Sequence, residues 1–113
     1  MKLPDNLPDG LVDLIAQRFR VLGEPMRIKL LDALRDGDAT VGELANRLAA
    51  TQQNVSKHLG VLHQAGIVGR AKQGTFVRYS IADPAVFDLC EHVCGGLREQ
   101  LAELDQIVPA VSR

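Results

Sequence analysis

Apolar residues recur first at Leu11, Leu14, Ile15, Phe19 and Leu22, spacings of three and four that gather them on one face of a helix. Asp9 is placed to cap its start and Gly23 to end it. Pro25 suits the first turn of a second helix, with Ile28, Leu30, Leu31 and Leu34 as its core side and Asp36-Gly37-Asp38 as its end. Thr40, followed three residues later by Glu43, has the form of a capping box and opens a short third helix through Leu44, Ala45 and Leu48. Thr51 is the next natural cap, and behind it Val55, Leu59 and Leu62 mark a fourth helix that stops at Gly66.

The period then falls to two. Ile67 to Lys72 and Phe76 to Ile81, separated by a Gln73-Gly74-Thr75 turn, predict a β-hairpin. Asp83-Pro84 introduces a long last helix, whose stripe runs Val86, Leu89/Cys90, Val93, Leu97, Leu101, Leu104 and Val108 before Pro109. The expected architecture is mainly α with a small hairpin (α+β): four helices, a hairpin, a fifth helix. Residues 1–8 carry no period and are expected to form a flexible arm, 9–108 a single domain and 109–113 a tail.

Length and composition agree with one globular domain: 113 residues, 46% hydrophobic, no Trp. The longest apolar runs fall well short of the roughly 18 residues of a membrane span, and Met1-Lys2-Leu3-Pro4-Asp5 lacks the apolar stretch of a signal peptide. A cytoplasmic protein without membrane partners is expected. Cys90 and Cys94 read as reduced thiols rather than a disulfide framework.

Charge changes the picture only when it is split by position. The formal net charge is −1, yet residues 44–82 contain no Asp or Glu and five cations: Arg47, Lys57, Arg70, Lys72 and Arg78. Residues 1–43 carry six Lys/Arg against eight acids, and residues 83–113 carry two against six. An acid-free basic block between acidic ends is the electrostatic footprint of a surface that meets phosphates, so double-stranded DNA becomes the expected partner.

The block also contains the residue types that read DNA. Two short helices joined by a tight turn, the second with a capped and amide-rich start, form a helix-turn-helix, whose second helix enters the major groove by its N-terminal half. Gln and Asn present paired donors and acceptors that match adenine, Ser bonds several base edges, and Lys reaches guanine or phosphate. The candidates are Thr51, Gln52, Gln53, Asn54, Ser56, Lys57 and His58, with Val55, Leu59 and Leu62 turned the other way. Arg70, Lys72 and Arg78 on the hairpin would supply phosphate contacts from a wing.

At these residues the sequence resembles the ArsR/SmtB family of winged helix-turn-helix bacterial transcriptional regulators. The resemblance rests on Leu22-Gly23-Glu24-Pro25-Met26-Arg27, Ile28-Lys29-Leu30-Leu31, Glu43-Leu44-Ala45, Asn54-Val55-Ser56-Lys57-His58-Leu59, Val61-Leu62, Ala65-Gly66-Ile67-Val68 and Arg78-Tyr79. It implies a homodimer through the first and last helices, an inverted-repeat operator, repression, and release by a metal ion or a thiol modification. It also implies that Gln52, Gln53, Ser56, Lys57 and His58 lie on the recognition helix and Arg70, Lys72 and Arg78 on the wing.

Two sensing patterns of the family are broken here. The third helix has no Cys-Val-Cys, which the arsenic-type site needs, and Asp83, Ala85, Gly96 and Glu99 stand where the zinc-type site on the last helix needs two acids and two His. What remains is Cys90, His92 and Cys94, with Asp88 one turn before the His. At about 100° per residue the two thiols lie about 40° apart and His92 points nearly opposite, so one helix cannot wrap all three around one ion. The thiols read as small core residues, as ligands at a dimer interface for cadmium, lead, arsenite, zinc or nickel, or as redox or sulfide-responsive thiols. Asp88 and His92 read as a surface pair or as a half-site that the partner or the acidic arm at Asp5, Asp9 and Asp13 completes. A regulator with no small-ligand sensing is a further alternative. An enzyme is not expected, since no Ser/His/Asp set, phosphate loop or paired carboxylates can be assembled.

Overall fold

The computed structural model describes residues 6–107, with side chains through Glu103. Most of the expected arm and the expected tail, with Val108 and the Leu104 side chain, lie outside the described residues. The elements run α1 (Asp9–Leu22), α2 (Pro25–Leu34), β1 (Ala39–Thr40), α3 (Val41–Arg47), α4 (Gln52–Gln64), β2 (Val68–Gln73), β3 (Phe76–Ile81) and α5 (Ala85–Ile107). The chain divides into two compact units between Ala82 and Asp83.

Local chemistry accounts for the boundaries. Asp9 is the first helical residue rather than a cap, because Pro8 occupies the cap position and no side chain bonds the first turn. The Gly23 N–H donates to the Phe19 carbonyl at 2.8 Å, and a Cβ at Gly23 would stand 3.1 Å from that same oxygen. Glu24 caps α2 by accepting from the Arg27 N–H, with Pro25 in the first turn. The capping box at α3 is complete: the Glu43 N–H donates to Thr40 Oγ1 at 3.2 Å and the Thr40 N–H to Glu43 Oε1 at 2.9 Å. α4 ends in a Schellman motif, in which the Ile67 N–H donates to the Leu62 carbonyl and the Gly66 N–H to the His63 carbonyl. Leu62 and Ile67, the pair that such a motif brings together, are both buried.

One element is additional to those expected from the sequence. Ala39-Thr40 pairs antiparallel with Tyr79-Arg78, so the hairpin is part of a three-stranded sheet in the order β1-β3-β2. Two residues are too few to show a period, and their strand state comes entirely from the partner. The hairpin closes on Gly74-Thr75, with Gln73 opposite Phe76 and Gly74 at φ +63°, the left-handed conformation a two-residue turn demands at its first central position.

In the unit before Asp83, the core gathers Leu30, Leu31 and Leu34 of α2, Leu44 and Ala45 of α3, Val55, Leu59 and Leu62 of α4, and Val68 and Tyr79 of the sheet. The stripe of α1 departs from the expected core face: only Val21 and Leu22 are buried, while Leu11, Leu14 and Phe19 are exposed, Leu14 at 68%. Ile28 is exposed as well. On α5 the stripe is exposed at Val93, Leu97 and Leu101 and buried at Val86. Each of these two helices therefore carries exposed apolar residues along one face.

Candidate nucleic-acid interface

The α3–α4 pair is joined by a short turn whose geometry is set by Ala49. This residue has φ +52°, the left-handed region that glycine normally occupies at a helix end. Around it the Ala50 N–H donates to the Ala45 carbonyl at 2.9 Å and the Ala49 N–H to the Asn46 carbonyl at 3.4 Å. Thr51 then caps α4, its Oγ1 accepting from the Asn54 N–H at 3.1 Å. That hydroxyl holds the helix start with one lone pair and keeps its own O–H to donate.

Behind the cap the sequence sorts by face. Val55, Leu59 and Leu62 are buried and hold α4 against α2 and α3. Gln52, Gln53, Ser56 and Lys57 are exposed and Asn54 half-buried. His58 departs from this outward set: it is only 6% exposed, with Nδ1 3.1 Å from Arg27 Nη1 and 3.7 Å from Glu24 Oε2. One residue past Lys57 is about 100° round the helix, enough to carry its ring to the inner side. Its grouping with the outward polar residues is corrected accordingly.

The wing cations also divide. Arg70 lies opposite Tyr79 and Lys72 opposite Val77, so these two share one face of the hairpin, whereas Arg78 lies opposite Ala71 on the other. Arg70 and Lys72 are exposed. Arg78 is half-buried and engaged within the fold: Nη2 donates to the Asp38 carbonyl at 2.9 Å, Nη1 stands 3.3 Å from Glu43 Oε1, and Nε stands 3.7 Å from Asp38 Oδ2. Hydrogen bonds from the Thr40 N–H and hydroxyl, followed by the charges of Arg78 and Arg47, outweigh desolvation and hold the Glu43 carboxyl below its ordinary pKa. No local sequence signal marks this tie, because it depends on the pairing of β1 with β3.

A second set has no sequence signal either, although its residues lie in the most distinctive stretch. Glu24 is a cap, and Arg27 donates from Nε to the Val21 carbonyl at 2.6 Å as well as meeting His58. Desolvation works to raise the Glu24 pKa, but the Arg27 N–H, the charge that His58 carries when it is protonated, the Met26 N–H and the charge of Arg27 together lower it. A contact spanning 31 residues of sequence leaves no local pattern to find.

On α5, Cys90 is half-buried and Cys94 exposed, and both are free thiols. Asp88 and His92 are exposed. Among the described residues no group of three or more His, Cys, Asp or Glu side chains is placed to hold a metal ion. No helix among the described residues is long and apolar enough to cross a membrane.

Buried α4 anchors, an outward polar face and a three-stranded sheet with its hairpin define a winged helix-turn-helix DNA-binding domain. Residues 22–69 match the family described as a helix-turn-helix domain. The HTH-type transcriptional regulator Rv0081 of Mycobacterium tuberculosis is 39% identical over 82 residues, which cover 72% of this chain and 72% of that protein. The regulator CmtR of the same organism is 38% identical over 97 residues, 86% of this chain and 73% of CmtR. The probable mercury resistance operon repressor of Streptomyces lividans is 39% identical over 77 residues, 68% of this chain and 62% of that protein. The crystal structure of Rv0081 superposes with a TM-score of 0.76 at 34% identity, covering 85% of this chain and 97% of that one. A homodimeric winged helix-turn-helix domain of Mb0332 from Mycobacterium bovis gives 0.74 at 27% identity, covering 89% and 94%. The antimony-specific repressor AntR gives 0.76 at 28%, covering 90% and 93%. The chain belongs to the ArsR/SmtB family of winged helix-turn-helix transcriptional regulators, which are not enzymes.

Proposed function

We propose that this regulator acts in the cytoplasm as a homodimeric repressor that binds an inverted-repeat operator through α4. The observation that carries the reading is the sorting of α4, where Gln52, Gln53, Ser56 and Lys57 stand outward in a stretch without a carboxylate. Gln52, Gln53 and Ser56 contact base edges, and Lys57 contacts guanine or phosphate. Thr51 and Asn54 order the helix start, while Arg70 and Lys72 contact the flanking phosphates and set register rather than sequence. Dimerisation covers the apolar faces of α1 at Leu11, Leu14 and Phe19 and of α5 at Val93, Leu97 and Leu101, as the homodimeric Mb0332 domain suggests.

The effector is a soft metal ion or a thiol-reactive species acting at Cys90 and Cys94. Repressors of mercury resistance and of antimony response among the relatives favour this class, and thiolate is the ligand such ions prefer. Asp88 and His92 on the other side of α5 would supply harder donors if a partner completes the set. Replacing Gln53 and Lys57 together by Ala tests the assignment of α4: binding to a duplex selected from a random-sequence library is lost, while the dimer and its melting temperature stay as they were. Undiminished binding removes α4 from the interface.

A further inference from the structure

His58 is the one buried polar or charged side chain among the described residues, and it sits on the reading helix. Its Nδ1 lies 3.1 Å from Arg27 Nη1. A guanidinium only donates and stays protonated throughout the working pH range, so this contact is a hydrogen bond only when Nδ1 holds a lone pair. That requires the neutral imidazole with its proton on Nε2. The same guanidinium donates from Nε to the Val21 carbonyl at 2.6 Å and from Nη2 to the Arg20 carbonyl at 3.4 Å. Both carbonyls belong to the last turn of α1, where the helix itself offers them no partner. A single side chain of α2 thus joins the end of α1 to α4, one residue past Lys57.

We propose that Arg27 is a positioning residue for DNA reading: through the neutral imidazole of His58 it fixes α4 against the end of α1, and protonation of His58 releases that hold. The inference rests on α4 being the helix that meets DNA. Protonation places an N–H on Nδ1 where the guanidinium needs an acceptor and sets two cations against each other. The alternative partner is Glu24, whose Oε2 is 3.7 Å away but already accepts from the Arg27 N–H at 3.0 Å as the cap of α2. Turning it to the imidazolium pulls on that cap.

The other charged groups on elements packed against α4 are engaged elsewhere or turned to solvent. Glu43 meets Thr40 and Arg78, Arg47 donates to the Ala33 carbonyl, and Asp32 meets Arg35. Lys29, Arg70 and Lys72 are exposed, as is Lys57 on α4 itself, and His63 is half-buried about one and a half turns further along the same helix. Arg27 and Glu24 are the charged groups in contact with the imidazole.

The expected sign is unusual. Histidines that gain charge near phosphates tighten DNA binding as pH falls, whereas here a proton on Nδ1 removes the acceptor that Arg27 needs, and affinity weakens. The test is fluorescence anisotropy with a labelled duplex selected on this protein, at fixed salt, between about pH 7.5 and about pH 5.5. Wild type weakens about tenfold over that range, the effect of losing one charge-assisted hydrogen bond. His58→Asn, whose amide oxygen accepts from Arg27 without titrating, keeps the affinity at the upper pH and loses the dependence. Arg27→Lys, a point donor that cannot serve both the carbonyls and the imidazole, binds about tenfold more weakly at the upper pH. Parallel pH profiles for wild type and His58→Asn overturn the inference and leave the α4 assignment standing, while a wild type that selects no duplex overturns both. Should the variants not fold, nitrogen-15 spectra of the wild-type imidazole decide: an Nε2–H tautomer supports the inference and an Nδ1–H tautomer overturns it.

Discussion

Arg78 Nη1 stands 3.3 Å from Glu43 Oε1, so the middle strand of the sheet is tied to the carboxylate that completes the capping box of α3. The same guanidinium donates to the Asp38 carbonyl just ahead of β1. A cation that sequence alone groups with the wing therefore serves the joint between sheet and reading module. Arg78→Ala is expected to destabilise the fold by about 1 kcal/mol, a few degrees of melting temperature, given its partial exposure. Arg70→Ala and Lys72→Ala leave the melting temperature alone and instead flatten the salt dependence of DNA binding, by about 0.9 in log–log slope for each phosphate left without its cation. Melting curves and a salt titration on all three variants separate the two roles.

Ala49 supports a second prediction. A residue with a Cβ at φ +52° costs roughly 1–2 kcal/mol against the right-handed conformation, and glycine relieves this while adding freedom to the unfolded chain worth about 0.4–1 kcal/mol. Ala49→Gly is expected to stabilise the protein by about 0.5–1 kcal/mol. The midpoint of urea unfolding reads this directly. A lower midpoint would show that the turn between α3 and α4 is not strained.

The thiols give a third. With Cys90 half-buried and Cys94 exposed, changing both to Ser costs little packing, and DNA affinity is expected to stay within about twofold of wild type. The response of that affinity to antimony(III), cadmium or a mild oxidant is expected to disappear. A response that survives in the double variant assigns sensing to other residues.

The helices and the hairpin are legible in the sequence because each has a periodic or capping signal: Thr40 with Glu43, Thr51 ahead of Val55, Gly66 behind Leu62. β1 is not, since two residues have no period and Ala39 is a strand only through Tyr79. The roles of Arg78 and His58 are likewise out of reach, because charge and residue type are visible in a sequence while the partners, Asp38 and Glu43 for one and Arg27 for the other, are fixed only by folding. The apolar stripes of α1 and α5 are plain as stripes, yet Leu11, Leu14 and Phe19 of one and Val93, Leu97 and Leu101 of the other are exposed. Hydrophobic spacing tells which face of a helix seeks cover and not which chain supplies it.

If two copies present two α4 helices to one operator, hydroxyl-radical footprinting on a selected duplex measures it most directly. The expected pattern is two protected stretches related by a two-fold axis, with half-site centres about one helical turn, 10–10.5 base pairs, or a multiple of it apart. A single protected stretch, or protection without two-fold symmetry, contradicts the account.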